Sequence, residues 1–294
     1  MDAKRPIFII GSPRSGTSLL RLILTSHSQI VIPPECGFIV WLYPKYHNWV
    51  VMNASDEDLC DRFLVDLYAC KKFETWALDK LQLKGLIISR QPSNYATLCA
   101  LIYEAYAMSY SRSVKIWGDK NNYYINHLPT LNEIYPDAKF LHIVRDGRDV
   151  ACSYREVMKQ KSTSPYAPKF PVDIESIASE WFTNVSKADD YLSGLHRSRS
   201  WTVRYEDLVQ QPKSIVSEIC VWAGLDYEPQ MLEFHDRNKR EQLEPSLTMD
   251  WKKRTLDPIS VMTVGRFRVL LDADELQRFN QIAKDALTKF GYME

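Results

Sequence analysis

Excess charge of either sign is what this chain lacks most: Lys and Arg total 37, and Asp and Glu total 37. With no global field to attract nucleic acid or an anionic membrane, any anion site must be local. Clustered cysteine is missing too. Cys36, Cys60, Cys70, Cys99, Cys152 and Cys220 are scattered singly, without a metal-ligand spacing, which favours a reducing compartment. Residues 7–10 are far too short an apolar run for a signal-peptide core or a membrane span, and residues 1–5 lack the usual cleavage pattern. A soluble cytoplasmic protein is expected, with no membrane span and no nucleic-acid partner. The sequence also has no repeat, no low-complexity tract and no heptad array. What it does have is core material: 45% hydrophobic and 12% aromatic residues in a 294-residue chain, enough for one large domain or two small ones.

Strand-like runs at 7–10, 29–32, 114–117, 139–144 and 201–205 alternate with helical patterns. Helices are expected at 19–24, at 56–73 behind a capping Ser55, and at 93–110 and 124–134. Others are expected from Gly147 onward and at 174–192, 212–222 and 273–290. This alternation implies an α/β fold with a central, mainly parallel sheet flanked by helices. The stretch 36–112 reads as an inserted helical cover on the substrate side. Polar, proline-bearing 161–171 is the best candidate for a mobile loop. In such sheets ligands bind beyond the carboxyl ends of the strands. Arg14, Lys120, Arg145 and Glu206 all follow the last apolar residues of expected strands, so one crevice can collect them within a single domain, 1–294.

The most informative segment is Gly11-Ser12-Pro13-Arg14-Ser15-Gly16-Thr17-Ser18, between the first strand and an amphipathic helix. Small residues let backbone approach an oxyanion, and the free N–H groups and dipole of the following helix point at it. The nucleotide-triphosphate version of this loop carries Lys directly before its final Ser or Thr, where this chain has Gly16. The cation here is Arg14, whose planar guanidinium suits two oxygens of one oxyanion. A second signal is 144–153, Val-Arg-Asp-Gly-Arg-Asp-Val-Ala-Cys-Ser: Arg145 at a strand end and Ser153 on a helix can grip another phosphate, if the helix folds back.

Together these two motifs resemble the sulfotransferases that use 3′-phosphoadenosine 5′-phosphosulfate (PAPS). The form Pro13-Arg14-Ser15-Gly16-Thr17-Ser18 is more similar to the tyrosylprotein and bacterial branch than to the cytosolic phenol and steroid enzymes. The resemblance implies a P-loop-like fold in which Arg14, Ser15, Gly16, Thr17 and Ser18 bind the phosphosulfate. It implies that Arg145 and Ser153 bind the 3′-phosphate, with Tyr205 near the adenine and Arg266, in Gly265-Arg266-Phe267-Arg268, as a further 3′-phosphate ligand. Lys120 is placed similarly to the lysine that contacts the oxygen bridging sulfur and phosphorus, where charge grows as the bond breaks. Glu35, after Pro33-Pro34, resembles the acidic general base, so Glu35, Lys120 and Arg14 form the expected catalytic set. Burial beside Phe38 and Trp41 would raise the Glu35 pKa, and Arg14 or Lys120 would oppose that.

Two departures stand out. The histidine of the cytosolic branch, two residues beyond the lysine, is Asn122 here, and the glycine- and lysine-rich lid of that branch is absent. The resemblance implies in-line sulfuryl transfer from PAPS, leaving adenosine 3′,5′-bisphosphate (PAP), to a hydroxyl acceptor without a metal. A small-molecule acceptor is favoured, with a peptidyl tyrosine or a sugar as alternatives. Two other readings stay open: a P-loop nucleotide or small-molecule kinase with Asp119 as a magnesium ligand, and a non-catalytic nucleotide-binding relative. Trp41, Tyr43, Tyr46 and Trp49 could line an aromatic pocket, although such spacing more often belongs to a core.

Overall fold

A computed structural model describes residues 5–50 and 56–293. Five strands, β1 (Ile7–Ile10), β2 (Ile30–Val31), β3 (Ile116–Lys120), β4 (Lys139–Val144) and β5 (Ser200–Arg204), form one sheet. Their order is β2-β3-β1-β4-β5 and every pairing is parallel, with Ile7 in register with Gly118 on one side and Lys139 on the other. The central strand β1 is buried along its whole length, as a strand covered on both faces must be.

Alternate residues of β1 serve opposite faces. Ile7 and Ile9 join a core with α1 (Thr17–Thr25) and the helices Pro212–Ala223 and Phe234–Glu241. Phe8 and Ile10 face the other core, where Phe8 sits edge-on to Trp117 and Trp117 stacks on Tyr103 at 4.1 Å. That side is covered by helices from 36–112: Phe38–Trp41, Tyr43–Tyr46, Glu57–Tyr68, Lys80–Arg90 and Tyr95–Ser109. A third core joins the end of β4 to the helices Gly147–Met158, Ile174–Leu192 and Ala273–Lys289. All three cores share one sheet, so the described chain is one α/β domain.

Several elements differ from expectation for identifiable reasons. The helix expected at 124–134 is a 3₁₀ turn, Asn122–Asn126, followed by a helix Leu128–Ile134. Pro129 forces the break: it lacks an N–H and its ring would clash one turn back, so it sits at the start of a new helix. The helix at 56–73 ends at Tyr68, and Asp56 caps it by accepting from Leu59 N at 3.0 Å. The expected cap, Ser55, lies outside the described residues. Lys80–Arg90 gave little sequence signal because it buries only Leu83 and Ile87 fully. The segment 161–171 carries no helix or strand. Within it, Ser162 Oγ donates to Asp250 at 2.7 Å, Tyr166 bonds Glu74, and Phe170 stacks on Tyr154 at 4.0 Å.

Candidate active site

A cavity of about 460 Å³ opens at the C-terminal ends of β1, β3 and β4. This is where a parallel sheet with strands wound to both sides of β1 leaves a crevice. Arg14, Gly16, Thr17, Ser18, Glu35, Lys120, Arg145, Ser153 and Tyr205 all line it.

The loop after β1 turns through left-handed backbone at Arg14, φ +66°, and Gly16, φ +97°. At Gly16 a side chain is excluded on two counts, since a Cβ would also stand 2.5 Å from the Tyr205 ring. Gly16 is the N-cap of α1 and no side chain caps it, so the first N–H groups of the helix are left for an anion. Arg14 Nε donates to Ser153 Oγ at 3.0 Å and its Nη1 to the Trp251 carbonyl at 2.8 Å. Burial, reinforced by Arg145, lowers the Arg14 pKa to about 10, which leaves it charged at neutral pH. Ser15 is buried and is not part of the lining; its Oγ has no partner among the described residues.

Arg145 closes the other end. Its Nη1 donates to the Arg14 carbonyl at 3.1 Å and its Nη2 to the Thr263 carbonyl at 2.7 Å. The guanidinium lies 4.7 Å over the Tyr205 ring, while the Tyr205 hydroxyl bonds Thr263 Oγ1 at 2.7 Å. Arg145 Nε is buried without a partner among the described residues. A buried guanidinium N–H aimed at no acceptor is what an anion ligand would satisfy.

Lys120, the last residue of β3, donates to Ser18 Oγ at 3.2 Å and pairs with Glu35. The second Glu35 oxygen accepts Lys72 Nζ at 2.7 Å, and Lys252 stands 4.0 Å from the first. Burial pushes the Glu35 carboxyl up, but Lys120, Lys252 and Lys72 together outweigh it and hold the group well below its ordinary value. The upward shift expected from apolar neighbours is therefore overridden here. Burial also lowers Lys120 to about 8, a shift that Glu35 opposes and Lys252 assists.

Three residues sit elsewhere than the sequence suggested. Glu206 is not in the crevice: it accepts Asp146 N at 3.0 Å and the Tyr292 hydroxyl at 2.7 Å. Arg266 pairs with Glu156 at 2.9 Å and faces a separate cavity of about 250 Å³ with Cys152, Arg155 and Lys159. Asp119 turns into the aromatic core, where it accepts from Tyr103, Tyr124 and the Lys120 amide. That orientation takes from the kinase reading the acid it needed. Of the aromatics at 41–49, Tyr46 and Trp49 are buried against Phe63, Trp41 is 37% exposed, and none of the four lines the cavity.

Sequence reasoning missed Lys72, Trp251, Thr263 and Tyr166 in the lining. Lys72 gave no local signal, since its reach depends on a left-handed φ of +72° between two helical segments. Lys252 lies in the basic run Lys252-Lys253-Arg254, whose pattern alone does not distinguish a site residue from a solvated one.

A model of the sulfotransferase family matches residues 6–229. Nodulation protein NoeE of Sinorhizobium fredii is 27% identical over 304 residues, covering 97% of this chain and 65% of that protein. Omega-hydroxy-beta-dihydromenaquinone-9 sulfotransferase Stf3 of Mycobacterium bovis is 26% identical over 254 residues, 77% of this chain and 64% of that protein. Protein-tyrosine sulfotransferase 2 of Gallus gallus is 22% identical over 288 residues, 97% and 69%. The chain thus spans about two thirds of the length of these relatives. A sulfotransferase domain from the curacin biosynthetic pathway shares the fold, with a TM-score of 0.57 at 19% identity over 94% of this chain and 96% of that one. The chain belongs to the sulfotransferase family.

Proposed function

We propose that the donor is PAPS, that the acceptor is the hydroxyl of a small molecule and that Glu35, Lys120 and Arg14 carry the transfer. The observation that carries this reading is the meeting of Glu35 and Lys120 in a cavity that Arg14, Arg145 and Ser153 also line. When bound, PAPS supplies an activated sulfuryl group and a bisphosphate leaving group. Arg145, through its unpartnered Nε, and Ser153 hold the 3′-phosphate. The free N–H groups at the start of α1, with Arg14 and the Thr17 and Ser18 hydroxyls, hold the 5′ end. Lys120 donates to the bridging oxygen as negative charge grows there. Glu35, an ionised carboxylate, takes the acceptor proton, and it becomes a stronger base as the donor's charge draws Lys120 away.

A cavity of about 460 Å³ that also holds the donor suits a small acceptor, and Tyr166, Pro168 and Phe170 wall it on the outer side. We assign the reaction to the cytoplasm on the buried thiols of Cys36, Cys70, Cys99, Cys152 and Cys220, none of which is in a disulfide among the described residues. Incubation with labelled PAPS and separate panels of phenols, aliphatic alcohols, sugars and tyrosine peptides tests the reading. Labelled phenols or alcohols support it, whereas labelling confined to peptides or sugars overturns the acceptor class.

A further inference from the structure

A second lysine stands beside Lys120 and Glu35. Lys252 follows the 3₁₀ turn Ser246–Trp251, and its Nζ lies 3.0 Å from Glu244 and 4.0 Å from the Glu35 oxygen that Lys120 also holds. It is only 7% exposed, and it lines the cavity. Neutralising Glu244 does not account for it. Glu244 already pairs with Arg21 at 2.9 Å, and Arg21 is fixed by the Ile32 and Leu243 carbonyls.

The local charge is therefore unbalanced: among the described residues, the side chains of Arg21, Lys72, Lys120 and Lys252 form ion pairs with two carboxylates, Glu35 and Glu244. A buried cluster with surplus positive charge is unfavourable unless an anion completes it. The surplus lies at the cavity face, because Arg21 and Glu244 sit behind Lys252. Two ammonium groups converging on one carboxylate oxygen also leave each free to turn to a different oxygen when an anion arrives.

We propose that Lys252 is a second cation for the sulfuryl group of the donor, gripping its non-bridging oxygens while Lys120 serves the bridging one. This rests on reading the cavity as the PAPS site. In the transfer, the acceptor oxygen bonds to sulfur as the bond from sulfur to the bridging oxygen breaks. The electron pair of that bond leaves with PAP, and the acceptor proton passes to Glu35. Lys252 touches only the group that moves. Its consequence is discrimination: the site holds PAPS more tightly than PAP, so spent nucleotide is exchanged for fresh donor. Arg21 and Glu244 are positioning residues that hold the lysine in place.

The test needs no acceptor: PAPS and PAP are titrated separately into the parent chain, Lys252→Met and Lys252→Arg by calorimetry. Lys252→Met is expected to weaken PAPS about ten-fold, the loss of one charge-assisted contact, while PAP changes by less than about three-fold. Lys252→Arg is expected to retain most of the preference. Equal weakening of both nucleotides, or no change in either, would overturn the proposal. Should Lys252→Met fail to fold, Lys252→Gln, which removes the charge and can still donate to Glu244 while leaving the Arg21–Glu244 pair intact, carries the same comparison. A parent chain that binds neither nucleotide would overturn the donor reading of the cavity itself, a different result.

Discussion

Arg14 and Ser153, 139 residues apart in sequence, meet with Nε 3.0 Å from Oγ. This contact joins the loop after β1 to the helix after β4, so the two halves of the phosphate grip are built as one unit. Arg14 also reaches the Trp251 carbonyl from a left-handed backbone position. A planar fork can serve both directions and still face the cavity, which a single ammonium cannot. Arg14→Lys is therefore expected to lower PAP affinity by about ten- to a hundred-fold with the charge retained. Titration with PAP checks this, and parent-like affinity would show that the guanidinium geometry is incidental.

The Glu35 carboxylate is engaged by Lys120 and Lys72, with Lys252 close by. Glu35→Gln keeps the shape but removes both the proton acceptor and the charge that engages Lys120. Turnover is expected to fall on the order of 10²- to 10⁴-fold. PAP affinity should hold or rise, because the donor no longer competes with Glu35 for Lys120. Parallel measurement of product formation and PAP binding separates the two effects, and near-normal turnover refutes Glu35 as the base.

Much of this site was legible because a parallel sheet delivers strand-end residues to one edge. Arg14, Lys120 and Arg145 each follow or end an apolar run, and the topology brings them together whatever the connecting helices do. Glu206 shows the limit of that rule: it too follows a strand, but Tyr292 from the C-terminal end and the Asp146 amide claim both its oxygens. Lys72 and Lys252 come from turns and Thr263 from the short 3₁₀ segment Val261–Thr263, and no local periodicity encodes where such side chains point. The break at Pro129 was readable in principle, since proline cannot occupy the middle of the helix drawn through it.

Gly16 offers a test of the loop itself. Its φ of +97° and the 2.5 Å approach that a Cβ would make to Tyr205 act together. Gly16→Ala is expected to cost about 1–3 kcal/mol from backbone conformation alone, and to displace the Tyr205 ring that lies under Arg145. The thermal-shift response to PAP should be lost along with part of the intrinsic stability. A variant that melts with the parent and still responds to PAP would show that the loop adopts another path.

Lys120 gives the pH dependence a sign. Burial lowers its ammonium to about 8, so below that pH it is charged and above it the donor loses a cation. PAPS affinity is expected to fall as pH rises through about 8. Lys120→Arg should remove that limb, because a guanidinium stays charged throughout. Stability moves the other way. A folded value below the ordinary lysine value means that the folded state releases its proton first, so this group's contribution to stability grows as pH climbs from about 8 toward that ordinary value. Loss of binding in that window is therefore not unfolding. Paired measurements of PAPS affinity and melting temperature across it would show the two diverging; a parallel fall would show that the whole domain, rather than Lys120, is titrating.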